Sequence, residues 1–259
     1  MYKTFLITFL ASFFVFSAQA QQYRHADQSL PCLDKKFTIV AHIMRDSLGI
    51  TPHDSTAIRQ AVNNLNPLFE PICASFTVCE FIFHDNFQYA NLLEGPTDPK
   101  WDEMQDKYHE DNRINIYFVS QLSGDEAGFA GLGAIVNMTG SGIVILGLGA
   151  LPHEMGHFFG LSHTFQGNGT ELVDGSNCTT AGDKICDTPA DPFVPGESMV
   201  DYLDGCTFIS AKTDANGDFY VPDVGNIMSY YPDMCTCGFT YDQYNAMANM
   251  YLNSSPKMW

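Results

Sequence analysis

The sequence predicts an α+β fold, with an α/β-like first part and an irregular second part stapled by disulfides. Three observations predict it. Strand-like and helix-like patterns alternate through the first 165 residues. From Gln166 to Gly238 the composition shifts to Gly, Asp, Asn, Pro and Cys, the chemistry of turns and loops. All 8 cysteines follow an export-type leader, so an even disulfide set is expected.

The elements follow in order. Lys3, an apolar run from Phe5 to Phe16 and the small residues Ala18 and Ala20 have the three-part layout of a secretory signal. Cleavage is expected after Ala20, leaving a short leader over 21–35 and one domain over 36–259, its upper lobe about 36–163 and its lower lobe about 164–259. The alternative is a membrane anchor, but the run is shorter than the roughly 20 apolar residues of a span. Secretion with no membrane anchor is therefore the expectation.

Lys36 to Ile43 alternates as a strand with Phe37, Ile39, Ala41 and Ile43 on one face. Asp54 then caps a helix whose buried stripe is Ile58, Val62, Leu65 and Phe69, with Pro67 limiting its regular run. Phe76 to Phe83 is β-branched and aromatic, hence a second strand; a short helix bears Trp101, Met104 and Tyr108. Arg113 to Val119 and Gly142 to Leu146 are further strands. Between them the glycine-rich Ala127 to Gly133 reads as a sheet edge beside a cleft, since no Lys follows as a phosphate loop requires. Thr240 with Gln243 forms a capping box for a last helix burying Tyr244, Met247, Ala248 and Tyr251.

Against 12 basic residues the chain carries 30 acidic ones, a balance that argues against nucleic acid or an anionic membrane as partner. It is compatible with basic substrates or bound calcium, but such a surface more often simply keeps an exported protein soluble. The cysteines are Cys32, Cys73, Cys79, Cys178, Cys186, Cys206, Cys235 and Cys237, with no C-x-x-C pair to suggest a zinc ribbon. Short-loop closure favours Cys73 with Cys79 and Cys178 with Cys186; the pairing of the rest, Cys206 and Cys235 among them, is open.

The chemistry concentrates at the junction of the two parts, His153-Glu154-Met155-Gly156-His157-Phe158-Phe159-Gly160-Leu161-Ser162-His163. Helix positions four apart share a face, so His153 and His157 point at one ion, and Glu154 reaches water on that ion without ligating it. Gly160 can adopt a left-handed conformation that ends the helix and returns His163 as a third ligand. Three protein ligands leave one position open, as in catalytic zinc sites. Glu154 is then the general base that drives water onto a peptide bond, and the partner is a polypeptide substrate. A non-catalytic module stabilised by metal is the competing reading; its mark would be loss of Glu154 or of a ligand, and all are present.

This motif is that of the metzincins. Asn226-Ile227-Met228-Ser229-Tyr230 resembles their downstream Met-turn, with Met228 beneath the metal and Tyr230 at the place of a tyrosine that reaches toward the zinc or the oxyanion. The segments Val173-Asp174-Gly175-Ser176-Asn177-Cys178, Gly182 to Pro192 and Phe239-Thr240-Tyr241-Asp242-Gln243 resemble the pappalysin family, especially its short bacterial members. The resemblance implies a metzincin fold with a mixed, mostly parallel twisted sheet, two long helices, an irregular lower lobe, endopeptidase activity and structural calcium. Another metzincin branch remains the alternative.

For calcium, the loop holding Asp183, Asp187, Thr188 and Asp191 offers enough oxygens, and reads equally as a turn closed by Cys178 and Cys186. Asp214, Asn216 and Asp218 are better read as a plain turn, because Gly217 comes too early for a calcium-loop register. Cys32 is expected in a disulfide, the alternative being a latency switch on the metal. Glycosylation acceptor patterns stand at Asn137, Asn168, Asn177 and Asn253. Pro152 implies that the active-site helix starts close to it, since proline is tolerated in a first turn.

Overall fold

The computed structural model describes residues 29–122, 128–130 and 142–254. The signal segment and Asn137 lie outside the described residues. Five strands form the main sheet: β1 (Lys35–Met44), β2 (Ala74–His84), β3 (Ile114–Phe118), β4 (Gly128–Ala130) and β5 (Ile143–Ile145). Their spatial order is β2-β1-β3-β5-β4, parallel throughout except for β4, which pairs antiparallel with β5 at the edge. The helices are α1 (Ser55–Phe69), α2 (Pro99–Tyr108), α3 (Leu151–Phe158) and α4 (Tyr241–Asn253). Among the described residues no helix is long and apolar enough to cross a membrane.

Alternation along each strand divides the core into two layers, one on each face of the sheet. Phe37, Ile39, Ala41 and Ile43 of β1, Ile114, Ile116 and Phe118 of β3, and Ile143 and Ile145 of β5 face α1, α3 and α4. Met44, Tyr117 and Val144 face the other way, onto Trp101 and Met104 of α2. Asp54 caps α1 by accepting from the Thr56 and Ala57 amides at 2.8 and 2.9 Å. Pro67 sits within α1, which gives way to a 3-10 turn at Glu70 two residues after Leu68.

The C-terminal helix carries the expected capping box and buries Tyr244, Met247, Ala248 and Tyr251. It packs into the same layer as β1: the Tyr251 ring meets Phe37 edge-on at 5.2 Å, and the Tyr244 hydroxyl donates to the Leu68 carbonyl at 2.7 Å. The lower part, 164–238, holds only two- and three-residue elements around a small aromatic core of Phe165, Phe193, Tyr202, Leu203 and Tyr231. Of the two long helices that the resemblance implies, α1 spans 15 residues whereas α3, which carries His153 and His157, spans only 8.

The disulfides correct one expectation. Cys73 bonds Cys32, not Cys79, while Cys178–Cys186 and Cys206–Cys235 close the lower part. Cys73 immediately precedes β2 and Cys79 lies within it, so at about 3.3 Å per strand residue their Cα atoms are roughly 20 Å apart, beyond the ~7 Å a disulfide spans. Cys79 is the extra residue of a β-bulge against β1, and its thiol donates to the Ile39 carbonyl at 3.2 Å. The bond to Cys73 also removes Cys32 as a latency ligand. Cys79 and Cys237 are free.

Candidate active site

The chain enters the site through a 3-10 turn at Leu148–Ala150, then α3 with Pro152 in its first turn, where a missing N–H costs nothing. The helix ends in a Schellman motif. The Leu161 amide donates to the Gly156 carbonyl at 3.0 Å and the Gly160 amide to the His157 carbonyl at 2.8 Å, with Gly160 at φ +90°. This reversal brings His163 back over the face that carries His153 and His157.

The three Nε2 atoms lie 3.0–3.1 Å from one another. Two nitrogens each about 2.1 Å from one tetrahedral ion are roughly 3.4 Å apart, so the triad has the donor type and nearly the spacing of a closed-up zinc site. The tautomers are set from behind: His153 Nδ1–H donates to the Ile227 carbonyl and His157 Nδ1–H to the Leu161 carbonyl, both at 2.7 Å. Each bond leaves a bare Nε2 lone pair facing the centre. Burial, with the neighbouring imidazole His157 second, depresses His153 to about 4 and His163 to about 2; burial also lowers His157. All three are therefore neutral, as ligands must be, at pH 7. His, Cys, Asp and Glu form no other metal-holding group of this kind among the described residues.

His163 is fixed differently. Its ring stacks on Phe165 at 4.6 Å with a 12° interplanar angle, and the Tyr230 ring stands edge-on to it at 4.8 Å and 5.4 Å from His153. Tyr230 is 46% exposed, which places it on the wall of the site rather than in the core. Glu154 is 5% exposed, with its stem against edge strand β4: a Cβ at Gly128 would lie 3.1 Å from Glu154 Cγ and 2.7 Å from the Val144 carbonyl. Only glycine lets the edge strand approach the helix that closely.

Met228 is fully buried beneath the triad, its sulfur against the backbone of Gly156, between the two helical histidines. The turn that carries it is tied to its surroundings. The Met228 amide donates to Asn226 Oδ1 at 2.9 Å, its carbonyl accepts from the Thr164 amide at 3.2 Å, and Asn226 exchanges side-chain bonds with buried Gln243. Gln243, the N3 partner in the capping box of α4, thus also braces the turn under the site.

Several contacts were not visible in the sequence. Asp191 Oδ2 accepts from Thr164 Oγ1 at 2.7 Å and Ser229 Oγ at 2.8 Å; its Oδ1 accepts from the Tyr231 hydroxyl at 2.9 Å and the Phe193 amide at 3.0 Å. These four donors fill the acceptor capacity of the carboxylate, so the calcium expectation does not extend to Asp191. Asp187 accepts from Thr240 Oγ1 and the Asp242 amide at the start of α4, and Thr188 Oγ1 donates to Asp183. Asp214 gathers the amides of Val173, Asn216 and Asp218, which makes that segment the expected turn. Thr164 and Ser229 flank the ligand and the methionine in sequence, but no local pattern points to the distant carboxylate they share.

A largely parallel α+β sheet, a helix-borne histidine pair with its glutamate, a third histidine beyond a glycine turn and a methionine beneath them make up a metzincin-like arrangement. Residues 147–252 match the peptidase M43 family model, described as pregnancy-associated plasma protein-A. That region carries the likeness to the pappalysin family. An extracellular metalloprotease of Aspergillus fumigatus is 35% identical over 105 residues, 40% of this chain and 28% of that protein. One of Sordaria macrospora is 26% identical over 215 residues, 76% of this chain and 67% of the relative. The chain therefore aligns with well under half the length of the Aspergillus relative. Among solved structures, mirolysin in complex with compound 9 has a TM-score of 0.53 at 17% identity, over 88% of this chain and 94% of that one. Mature mirolysin of Tannerella forsythia with a cleaved peptide gives 0.52 at 15% identity, over 89% and 94%. That likeness is one of fold.

Proposed function

We propose that this chain is a secreted zinc endopeptidase of the pappalysin type. The observation that carries the reading is the convergence of three bare Nε2 atoms at 3.0–3.1 Å, beside Glu154. A zinc ion, when bound, supplies Lewis acidity and acidifies water. His153, His157 and His163 would hold it. Glu154 takes the proton of the attacking water and returns it to the leaving amine. Tyr230, beside His153 and His163, is the group that hydrogen-bonds the developing oxyanion. Edge strand β4, last in the order of the main sheet among the described residues, is the rail along which an extended polypeptide substrate pairs. The extracellular names of the fungal relatives and the three disulfides support export.

The test is metal analysis and peptide hydrolysis on the same preparations. Near-stoichiometric zinc, inhibition by chelators, and loss of turnover in Glu154→Ala with zinc retained are the expected results. Full hydrolysis by that variant would remove Glu154 from the mechanism.

One observation favours a second, structural cation. Glu171 is 4% exposed, lies against the backbone of Gly182, and its Oε2 has no hydrogen-bond partner. Burial first, then Asp183 and Asp191, pushes its carboxyl up to about 7, and burial pushes Asp183 up to about 6. A calcium ion held by Glu171, Asp183 and Thr188 would relieve both. Calcium should then raise the melting temperature of the wild type and not that of Glu171→Gln.

A further inference from the structure

We propose that Asp191 is a positioning residue for the active site: its buried carboxylate clamps the segment bearing the third ligand to the turn bearing Met228 and Tyr230. The inference rests on the zinc peptidase reading and deepens it.

The geometry points there because the three histidines are secured unequally. His153 and His157 ride on a helix, and each is locked by an Nδ1–H bond to a backbone carbonyl. His163 lies beyond the Schellman turn. Its neighbour Thr164 holds the backbone through two bonds, its amide to the Met228 carbonyl at 3.2 Å and its hydroxyl to Asp191 Oδ2 at 2.7 Å. Its ring rests on Phe165, which in turn packs against Phe193 at 5.1 Å, and the Phe193 amide is held by Asp191 Oδ1 at 3.0 Å. Asp191 thus reaches His163 by two routes, one through Thr164 and one through the aromatic stack.

The same carboxylate brackets Tyr230. Ser229 Oγ donates to Oδ2 at 2.8 Å and the Tyr231 hydroxyl to Oδ1 at 2.9 Å, so the residues on either side of Tyr230 are pinned to one group. Asp191 is 3% exposed and comes from a segment 27 residues from Thr164 and 38 from Ser229. A buried carboxylate that gathers four donors from separate segments fixes their relative positions, because each bond is charge-assisted and directional. Outer contacts of this kind typically change metal affinity or activity by about 10–100-fold when removed.

The experiment measures the zinc dissociation constant by chelator competition, kcat and KM on a peptide substrate, and the melting temperature of the metal-free protein. The proteins are wild type, Asp191→Ala, Asp191→Asn, Thr164→Val and Ser229→Ala, with Asp54→Ala as a remote destabilised control. Asp191→Ala and Thr164→Val are expected to weaken zinc by about 10–100-fold. Ser229→Ala is expected to lower kcat about tenfold or more with KM little changed, since Tyr230 acts in the transition state. Asp191→Asn should recover part of both losses, because its carbonyl keeps two donors and the two hydroxyls can rotate to accept from its amide. The Asp54→Ala control should lose stability and keep zinc affinity. Where Asp191→Ala does not fold, Thr164→Val and Ser229→Ala decide the matter alone. Wild-type zinc affinity and kcat in both of these would overturn the clamp. Losses no larger than in the control at equal melting temperature would do the same. A wild type that binds no zinc overturns the functional reading itself, and the clamp with it.

Discussion

The packing of Met228 against Gly156 gives a sharp test of how the site is built. A Cβ at position 156 would meet the Met228 sulfur well inside van der Waals contact, Met228 Cε at 3.4 Å and Phe239 Cε1 at 3.3 Å. In an ordinary helix interior Gly→Ala gains about 1 kcal/mol. Here Met228 is fully buried and its sulfur has no solvent to move into. Overpacking of a tight core costs about 1–3 kcal/mol, so Gly156→Ala should destabilise by up to roughly 2 kcal/mol once the helix gain is subtracted. Met228→Ala opens a cavity and should cost about 2–5 kcal/mol. In the double variant the obstructing sulfur is gone, the new methyl fills part of the cavity, and the helix gain returns. The double variant should therefore be more stable than the sum of the two losses by about 1–3 kcal/mol. Urea unfolding of the four metal-free proteins, followed by near-ultraviolet circular dichroism, measures each term. Losses that add to within about 0.5 kcal/mol would refute the reasoning, since they would mean that the two positions do not compete for space.

Three other outcomes follow from the fold. Burial is the main cause holding His42 and His84 down to about 4 from 6.5. His42 Nε2–H donates to Asn115, the Tyr117 ring stacks on it, and His84 and His109 face it, while Lys107 and Asp85 flank His84. Between about pH 4 and 6.5 the unfolded chain binds more protons than the folded one, so stability is complete above that window and is lost as pH falls through it, by up to about 3 kcal/mol from His42. His42→Gln should flatten the stability–pH curve from pH 7 to 4.5 relative to wild type; an unchanged slope counts against the assignment. The Cys32–Cys73 bond closes a separation of 41 residues, worth about 4 kcal/mol by chain entropy. Calorimetry should show a clearly lower melting temperature when both are replaced by serine, and an equal one would be contrary evidence. Asp54→Ala should cost about 1 kcal/mol through two lost cap bonds, read by chemical denaturation, and a change near zero would mean that water replaces the cap.

The strands of the sheet were legible because alternation with period two decides which side chains can be buried together: Phe37, Ile39, Ala41 and Ile43 share one layer of the structure. The stripe of Ile58, Val62, Leu65 and Phe69 in α1 and the capping box of α4 were legible for a similar reason, since their partners lie within one or two helical turns. The histidine triad belongs to this local class. Two of its histidines are four residues apart on a helix, and the third follows a glycine at φ +90° that turns the chain.

The sequence by itself thus determined the strands, the helix faces and the convergence of His153, His157 and His163, because each is dictated by contacts a few residues long. Only the tertiary structure decided that Cys73 takes Cys32 rather than Cys79, that Gln243 braces the turn of Met228, and that Thr164, Ser229 and Tyr231 meet on Asp191. Strand extension carries Cys79 out of reach of its near neighbour in sequence, and a buried carboxylate draws its donors from whatever segments the packed layers bring past it. Those pairings depend on where whole elements come to rest, and no local period encodes that.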